Sequence, residues 1–120
     1  MAYTSFEDLE VWKKACQLSV KVYQVLKGCK DYGLKDQMTR AGVSIASNIA
    51  EGAERNSRAE YIRFMLIAKG SAAELRTQLY IACRIDVISD EQQKELVGDC
   101  VSISQMIHAL IRSLSVKRNP

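Results

Sequence analysis

Four segments of the 120-residue chain repeat apolar residues at steps of three and four, the spacing that places side chains on one face of an α-helix. Short connections separate these segments, so successive helices should lie antiparallel. We therefore predict an all-α, antiparallel up-down-up-down four-helix bundle, with residues 1–120 as a single domain. The predicted helices run from about Ser5 to Lys27, from about Leu34 to Arg55, from Ser57 onward and from Ser89 onward.

Local signals mark several helix ends. In a capping box, a Ser or Thr side chain and a Glu or Gln three residues later each accept a hydrogen bond from the other residue's backbone N–H. Gly28 should end the first helix, since glycine readily adopts the left-handed conformation common after a last turn. Capping-box spacing occurs at Thr4 with Glu7, Ser57 with Glu60, and Ser89 with Gln92.

The first predicted helix carries two apolar stripes. One contains Val11, Ala15, Leu18, Val22 and Val25. Together the two stripes cover about 200° of the helix, against the roughly 100° that a helix on one core needs. We therefore predict a homo-oligomer, in which the second stripe contacts a neighbouring subunit. That stripe contains Leu9, Trp12, Cys16, Tyr23 and Leu26, and the candidate interface is Leu9, Trp12, Cys16 and Tyr23.

The second predicted helix has no charged residue between Ala41 and Ala50. We expect this helix to be the most enclosed of the four. Gly42 lies in this stretch, and Gly70 lies in a similar patch of small residues on the third helix. Because glycine is unfavourable inside a helix, we expect these two patches to pack closely against each other.

Several functional classes find no support in the residues. The cysteines, Cys16, Cys29, Cys83 and Cys100, lack the C-x-x-C spacing of zinc or redox sites, so free thiols are expected. His108 has no acidic or thiol partner at a catalytic spacing. We predict no enzyme activity, cofactor or metal. The chain also lacks an apolar run long enough to span a bilayer and a recognisable signal peptide, which predicts a cytoplasmic protein.

Five sequence pieces resemble the four-helix-bundle family also called the 23S rRNA intervening-sequence protein family. The resemblance implies a pentameric barrel of bundles that binds RNA or a reverse transcriptase, as in the similar accessory variability proteins of diversity-generating retroelements. It supplies no catalytic residues. The pieces are Phe6-x-x-Leu9-x-x-Trp12, Gln37-Met-Thr-Arg-Ala-Gly-Val-Ser-Ile45, Asn48-Ile-Ala-Glu-Gly52, Arg55-x-Ser57-x-x-Glu60 and Phe64-Met-Leu-Ile-Ala-Lys-Gly-Ser-Ala-Ala-Glu-Leu75.

Two functions stay open. In the first, an oligomeric scaffold binds RNA through cationic side chains, which the net charge of +3 permits but does not require. In the second, the bundle is an adaptor that holds a polymerase or reverse transcriptase without touching nucleic acid. The polar family positions Asn48, Glu51, Arg55, Glu60 and Glu74 are interpreted as structural, with Arg40 reaching Glu74. The candidate nucleic-acid contacts are Lys13, Lys14, Lys21, Arg55, Arg58, Arg63 and Lys69.

Overall fold

The computed structural model describes residues 5–116, which form one short 3-10 turn and four long α-helices. Helix α1 packs on α2 and α4, and α3 packs on the same two helices, whereas no Cα atoms of the diagonal pairs of these described helices come within 8 Å of each other. The predicted all-α antiparallel four-helix bundle is confirmed. The elements are the turn Phe6–Asp8, α1 Glu10–Val25, α2 Tyr32–Ala53, α3 Arg58–Arg84 and α4 Asp90–Ser115.

The predicted apolar stripes form the core between the helices. Each large aliphatic side chain buried in this way stabilises the fold by about 1.5–3 kcal/mol relative to exposure. Leu26 is fully buried as well, so this member of the second stripe belongs to the core and not to an outer face. The fully buried large side chains are Leu18, Val22, Leu26, Met38, Ile45, Ile49, Met65, Leu75, Leu79, Leu96, Ile103 and Ile107.

Two predicted helix starts and one predicted end are confirmed. Ser57 Oγ accepts a hydrogen bond from the Glu60 backbone N–H at 3.1 Å. At the start of α4 both halves of the capping box form between Ser89 and Gln92, at 3.1 Å and 2.9 Å. Gly28 adopts a φ of +86°, the left-handed conformation that ends a helix at low cost only for glycine.

The first helix begins later than expected. Ser5 Oγ accepts from the Glu7 backbone N–H at 3.1 Å, but this bond caps the 3-10 turn and not α1. Leu9 then adopts an extended backbone, with φ −73° and ψ 123°, and α1 starts at Glu10. The Phe6 ring contacts the edge of Trp12 at 5.3 Å between centroids. Thr4, the other predicted cap, lies outside the described residues.

The small-residue patches of α2 and α3 do meet, at Ser44 and Ser71, but the expected close approach at Gly42 and Gly70 is wrong. A Cβ built on Gly42 would lie 3.5 Å from Ser19 Cα, so Gly42 permits close approach of α1 and α2. Gly70 is exposed on α3, and a Cβ there would meet nothing within 4 Å. Helices α2 and α3 instead approach closely at Gly52, where an added Cβ would lie 2.8 Å from Phe64 Cβ. The short turn between these helices brings Gly52 opposite Phe64.

The expected pair between Arg40 and Glu74 does not form either. Arg40 Nε lies 3.4 Å from Asp36 Oδ2, one turn earlier on α2, and both side chains are largely exposed. The polar contact between α2 and α3 is made by Ser44 and Ser71, whose hydroxyl oxygens are 2.9 Å apart. Asn48 Nδ2 donates to Ser44 O at 2.8 Å, which supports its structural interpretation.

Candidate functional site

A depression between α1 and α2, in the described part of the chain, is lined by uncharged residues alone. None of its lining residues carries a carboxylate, ammonium or guanidinium group. Val20 and Tyr23 are about half exposed, and Val43 is 43% exposed. We call this surface the α1–α2 face. It is lined by Trp12, Cys16, Ser19, Val20 and Tyr23 of α1 and by Val43, Ala46, Ser47 and Ala50 of α2.

The uncharged stretch of α2 explains why the face is so apolar. Its inner side, which includes Ala41, Ile45 and Ile49, is buried in the core as predicted. Its outer side is not enclosed by the chain, because Val43 and Ser47 are exposed and Ala46 and Ala50 only half-buried. The uncharged stretch of α2, which we expected to be enclosed, is therefore enclosed on its inner side and open on its outer side.

Three of the four candidate interface residues lie on the α1–α2 face. They are Trp12, Cys16 and Tyr23, whereas Leu9 packs half-buried against the core. Partial burial raises the pKa of the Cys16 thiol, which keeps it protonated near neutral pH. Their role in an oligomer stays a prediction.

The three candidate lysines of α1 are engaged in ion pairs. Lys21 Nζ lies 2.9 Å from Glu95 Oε2 and 3.0 Å from Asp99 Oδ2 of α4, and the hydrogen bonds that it donates, first to Glu95 and second to Asp99, raise its pKa. Lys14 Nζ lies 3.8 Å from Asp99 Oδ1. Lys13 pairs with Glu10 of its own helix at 3.4 Å. The positive charge of these three lysines is thus partly neutralised, mainly by the carboxylates of Glu95 and Asp99 on α4.

Two of the three candidate arginines near the α2–α3 turn, Arg55 and Arg63, also have partners. The guanidinium carbons of Arg55 and Arg63 lie 4.7 Å and 4.8 Å from the centre of the Phe64 ring. Arg55 also pairs with Glu51 at 3.7 Å, and Arg63 with Glu60 at 2.9 Å. These contacts support the structural interpretation of the arginines and glutamates, while nucleic-acid binding by Arg55, Arg58 or Arg63 stays a prediction.

The seventh candidate, Lys69, lies in a second surface that sequence reasoning missed. Two adjoining depressions between α3 and α4 share Arg76 and Ser104, and we call their union the α3–α4 groove. Neither depression is lined by an Asp or Glu. Tyr80 lies at one end of the groove, and Lys69 and Arg112 lie in the other depression. The remaining lining residues are Ala72, Ala73, Thr77, Cys100, Val101, Gln105, His108 and Ala109.

A weak sequence signal for this groove exists. Lys69 and Arg76 are seven residues apart and so share one face of α3, and His108 and Arg112 are four apart on α4. That the two faces meet depends on how the helices are rotated in the bundle, which spacing along one helix does not determine. His108 is exposed in this groove, in a depression that contains three cations and no carboxylate or thiol.

Residues 5–116 contain neither a cluster of metal-binding side chains nor a helix suited to cross a membrane. No group of three or more His, Cys, Asp or Glu side chains there is arranged to hold a metal ion. Within the same range, no helix combines the length and apolarity needed to cross a membrane. The four cysteines are free thiols, and burial raises the pKa of the Cys100 thiol to about 12.

Comparison with known proteins identifies a family and a solved structure of similar fold. The sequence model of the 23S rRNA-intervening sequence protein family matches residues 7–109. Among solved structures, the chain is similar to a protein with unknown function from the S23 ribosomal protein family of Bacteroides thetaiotaomicron. The two are 28% identical, the match covers 85% of this chain and 98% of that one, and the TM-score is 0.80. No curated protein matches the chain.

Proposed function

The chain belongs to the 23S rRNA-intervening sequence protein family, and from that premise we propose that it is a non-enzymatic scaffold that assembles from copies of itself through the α1–α2 face. The observation that carries this proposal is the uncharged lining of that face. Charged groups are depleted from the centres of protein interfaces because their desolvation is costly. A lone bundle would leave this apolar surface in water, and contiguous apolar patches on proteins commonly mark interaction sites.

A second copy of the chain is the occupant that we propose. The α1 side of the face presents the large side chains of Trp12 and Tyr23, and the α2 side presents a strip of small residues, Ala46, Ser47 and Ala50. Large side chains of one copy therefore fit over the small strip of the next. Such a contact between unlike surfaces closes into a ring when the rotation from one copy to the next closes, and it continues as an open filament when it does not. We propose five copies, the number that the family resemblance implies.

The absence of enzyme activity belongs to the same proposal. The one histidine lies beside Lys69 and Arg112 in a shallow groove, without a carboxylate or thiol that would orient it as a base. The buried Cys100 is held as a neutral thiol and is a poor nucleophile. Four free thiols support the cytoplasm as the location, since reducing conditions there keep cysteines unpaired.

Sedimentation velocity of single variants tests self-assembly. Val43→Glu places a charge in the α1–α2 face, and burying it against a second copy would be costly. Ile81→Glu is the matched control, because Ile81 is 47% exposed, close to the 43% of Val43, but lies on α3 outside the face. We expect an oligomer for the unmodified chain and for Ile81→Glu, and a monomer for Val43→Glu.

Other results would overturn parts of the proposal. An unchanged mass for Val43→Glu would show that copies do not meet at this face. A dimer would keep the packing explanation but reject five copies. A monodisperse monomer of the unmodified chain at micromolar concentration would reject self-assembly, and the alternative, an adaptor for a polymerase or reverse transcriptase, would take its place.

A further inference from the structure

We infer that the α3–α4 groove is a binding site for single-stranded nucleic acid, with phosphates on Lys69, Arg76 and Arg112 and a base stacked on Tyr80. The inference goes beyond the scaffold function and does not depend on it. Every residue that lines the groove comes from one chain, so the site is complete without a second copy.

The groove gathers cations that have no anionic partner in the described chain. Six of the twelve other Lys and Arg residues in the described chain form ion pairs: Lys13, Lys14, Lys21, Arg40, Arg55 and Arg63. Within residues 5–116, Lys69, Arg76 and Arg112 form none. Three like charges in one groove repel each other, and a bound anion would relieve that repulsion.

The spacing of the cations suits a polyanion better than a single small anion. Lys69 and Arg76 are two turns apart on α3, about 10 Å at a rise of 1.5 Å per residue. Arg112 lies across the groove on α4 and lines the same depression as Lys69 and Arg76. Ser104 and Gln105 line the same depression and add groups that can donate hydrogen bonds to phosphate oxygens.

Tyr80 points to single strands in particular. It is 44% exposed and lies one turn beyond Arg76 on α3, at the end of the groove away from Lys69. An exposed aromatic ring beside cations is the combination with which proteins hold single strands, because every base can stack on the ring. On α1, by contrast, no exposed aromatic side chain lies on the side of the helix that carries Lys13, Lys14 and Lys21.

An acidic peptide fits the groove less well. Peptides that bind between helices usually insert large apolar side chains into apolar pockets. Here the apolar lining consists of Val101, Cys100 and the alanines Ala72, Ala73 and Ala109, and three cations dominate the rest. The groove therefore offers positive charge and one aromatic ring for stacking. A polynucleotide uses both, whereas an acidic peptide uses mainly the charge.

Fluorescence anisotropy with a labelled oligouridylate of about 12 nucleotides tests the site. The double variant Arg76→Gln with Arg112→Gln should bind at least about tenfold more weakly at low salt. Its salt dependence should also be shallower, since each lost phosphate contact removes about 0.7 from the slope of log K against log salt. The control Lys30→Gln with Arg40→Gln removes the same charge outside the groove and should bind like the parent.

Tyrosine variants test the stacking step. Tyr80→Leu should weaken binding about tenfold, whereas Tyr32→Leu should not, although Tyr32 is 72% exposed. Circular dichroism checks that each variant is folded. Repeating the titrations in the Val43→Glu background separates the site from assembly, because the groove variants should lose affinity there too. Equal binding by parent and groove variants, equal loss in the controls, or tighter binding of polyglutamate than of the oligonucleotide would overturn the inference.

Discussion

Lys21 of α1 and Asp99 of α4 are joined by an ion pair with 3.0 Å between Nζ and Oδ2, which ties the first helix of the bundle to the last. The same ammonium group contacts Glu95, so two carboxylates share one cation. Replacing Lys21 with Met should lower the free energy of unfolding by about 0.5–1 kcal/mol, because the pair is solvent-screened. Urea unfolding measures this effect.

Lys27→Met is the control for this prediction. Lys27 is exposed just beyond α1, and no ion pair of the described residues includes it. Lys27→Met should leave the midpoint of urea unfolding nearly unchanged. High salt screens the ion pair, so it should bring the midpoints of Lys21→Met and Lys27→Met closer together. Equal midpoints at low salt would mean that the pair contributes nothing to the stability of the bundle.

The close approach at Gly52 gives a second prediction. An added Cβ would lie 2.8 Å from Phe64 Cβ and 3.2 Å from the Tyr61 carbonyl oxygen, and neither is the end of a flexible side chain. Gly52→Ala should therefore destabilise the protein by about 1–3 kcal/mol through overpacking. Thermal unfolding measures the change.

Gly70→Ala provides the opposite case on the same bundle. Its new methyl group would enter open space on the exposed side of α3. The gain in helix propensity should therefore stabilise the protein by up to about 1 kcal/mol. If both alanine variants shift the melting temperature in the same direction, the α2–α3 packing described above is wrong.

Burial of Cys100 predicts a stability change in alkali. Its pKa is raised from the ordinary value of 9.0 to about 12, first by desolvation and then by Asp99. Below pH 9.0 the thiol is protonated in both states, and the full stabilisation is present. As the pH rises from 9.0 toward about 12, the unfolded chain loses this proton first, so stability falls by at most about 1.4 kcal/mol per pH unit.

Comparison with Cys100→Ala isolates this effect from other titrations. The stability advantage of the unmodified protein over the variant should shrink as the pH rises through that window. A difference in unfolding free energy that stays constant over the window would contradict the assigned burial of the thiol.

The fourth prediction concerns the lysines of α1 and their part in nucleic-acid binding. Lys13→Gln with Lys14→Gln removes two candidate contacts but leaves the bonds of Lys21 to Glu95 and Asp99 in place. Because both lysines already have acidic partners, this variant should weaken oligonucleotide binding less than Arg76→Gln with Arg112→Gln. A greater loss for the α1 variant would move the binding surface to the first helix.

Features that depend on neighbours along the chain could be predicted from the sequence. The Ser89 and Gln92 capping box, the left-handed Gly28 and the buried stripe of Met38 and Ile45 all follow from spacing within one helix or turn. Trp12 was likewise identified as part of an outer apolar stripe, and it lies on the α1–α2 face.

Features that depend on the rotation and register of packed helices could not be predicted. Spacing could not show that Asp99 faces Lys21, or that Gly52 and not Gly70 meets the neighbouring helix. It also could not show that Arg76 and Arg112 share a groove, because they are far apart in sequence and on different helices. The break at Leu9 was missed because the capping signal at Ser5 is satisfied by a short 3-10 turn.

Thiol labelling locates the interface between copies most directly, because Cys16 lies on the α1–α2 face and Cys83 lies at the far end of α3. A short pulse of iodoacetamide, followed by mass spectrometry of the peptides, measures the reaction rate at each cysteine. We expect Cys16 to react several-fold more slowly in the assembled protein than in Val43→Glu, while Cys83 reacts equally in both, since a second copy covers only the first thiol. An assembled protein in which Cys16 reacts as fast as it does in the Val43→Glu monomer would contradict the claim that the α1–α2 face joins copies of this chain.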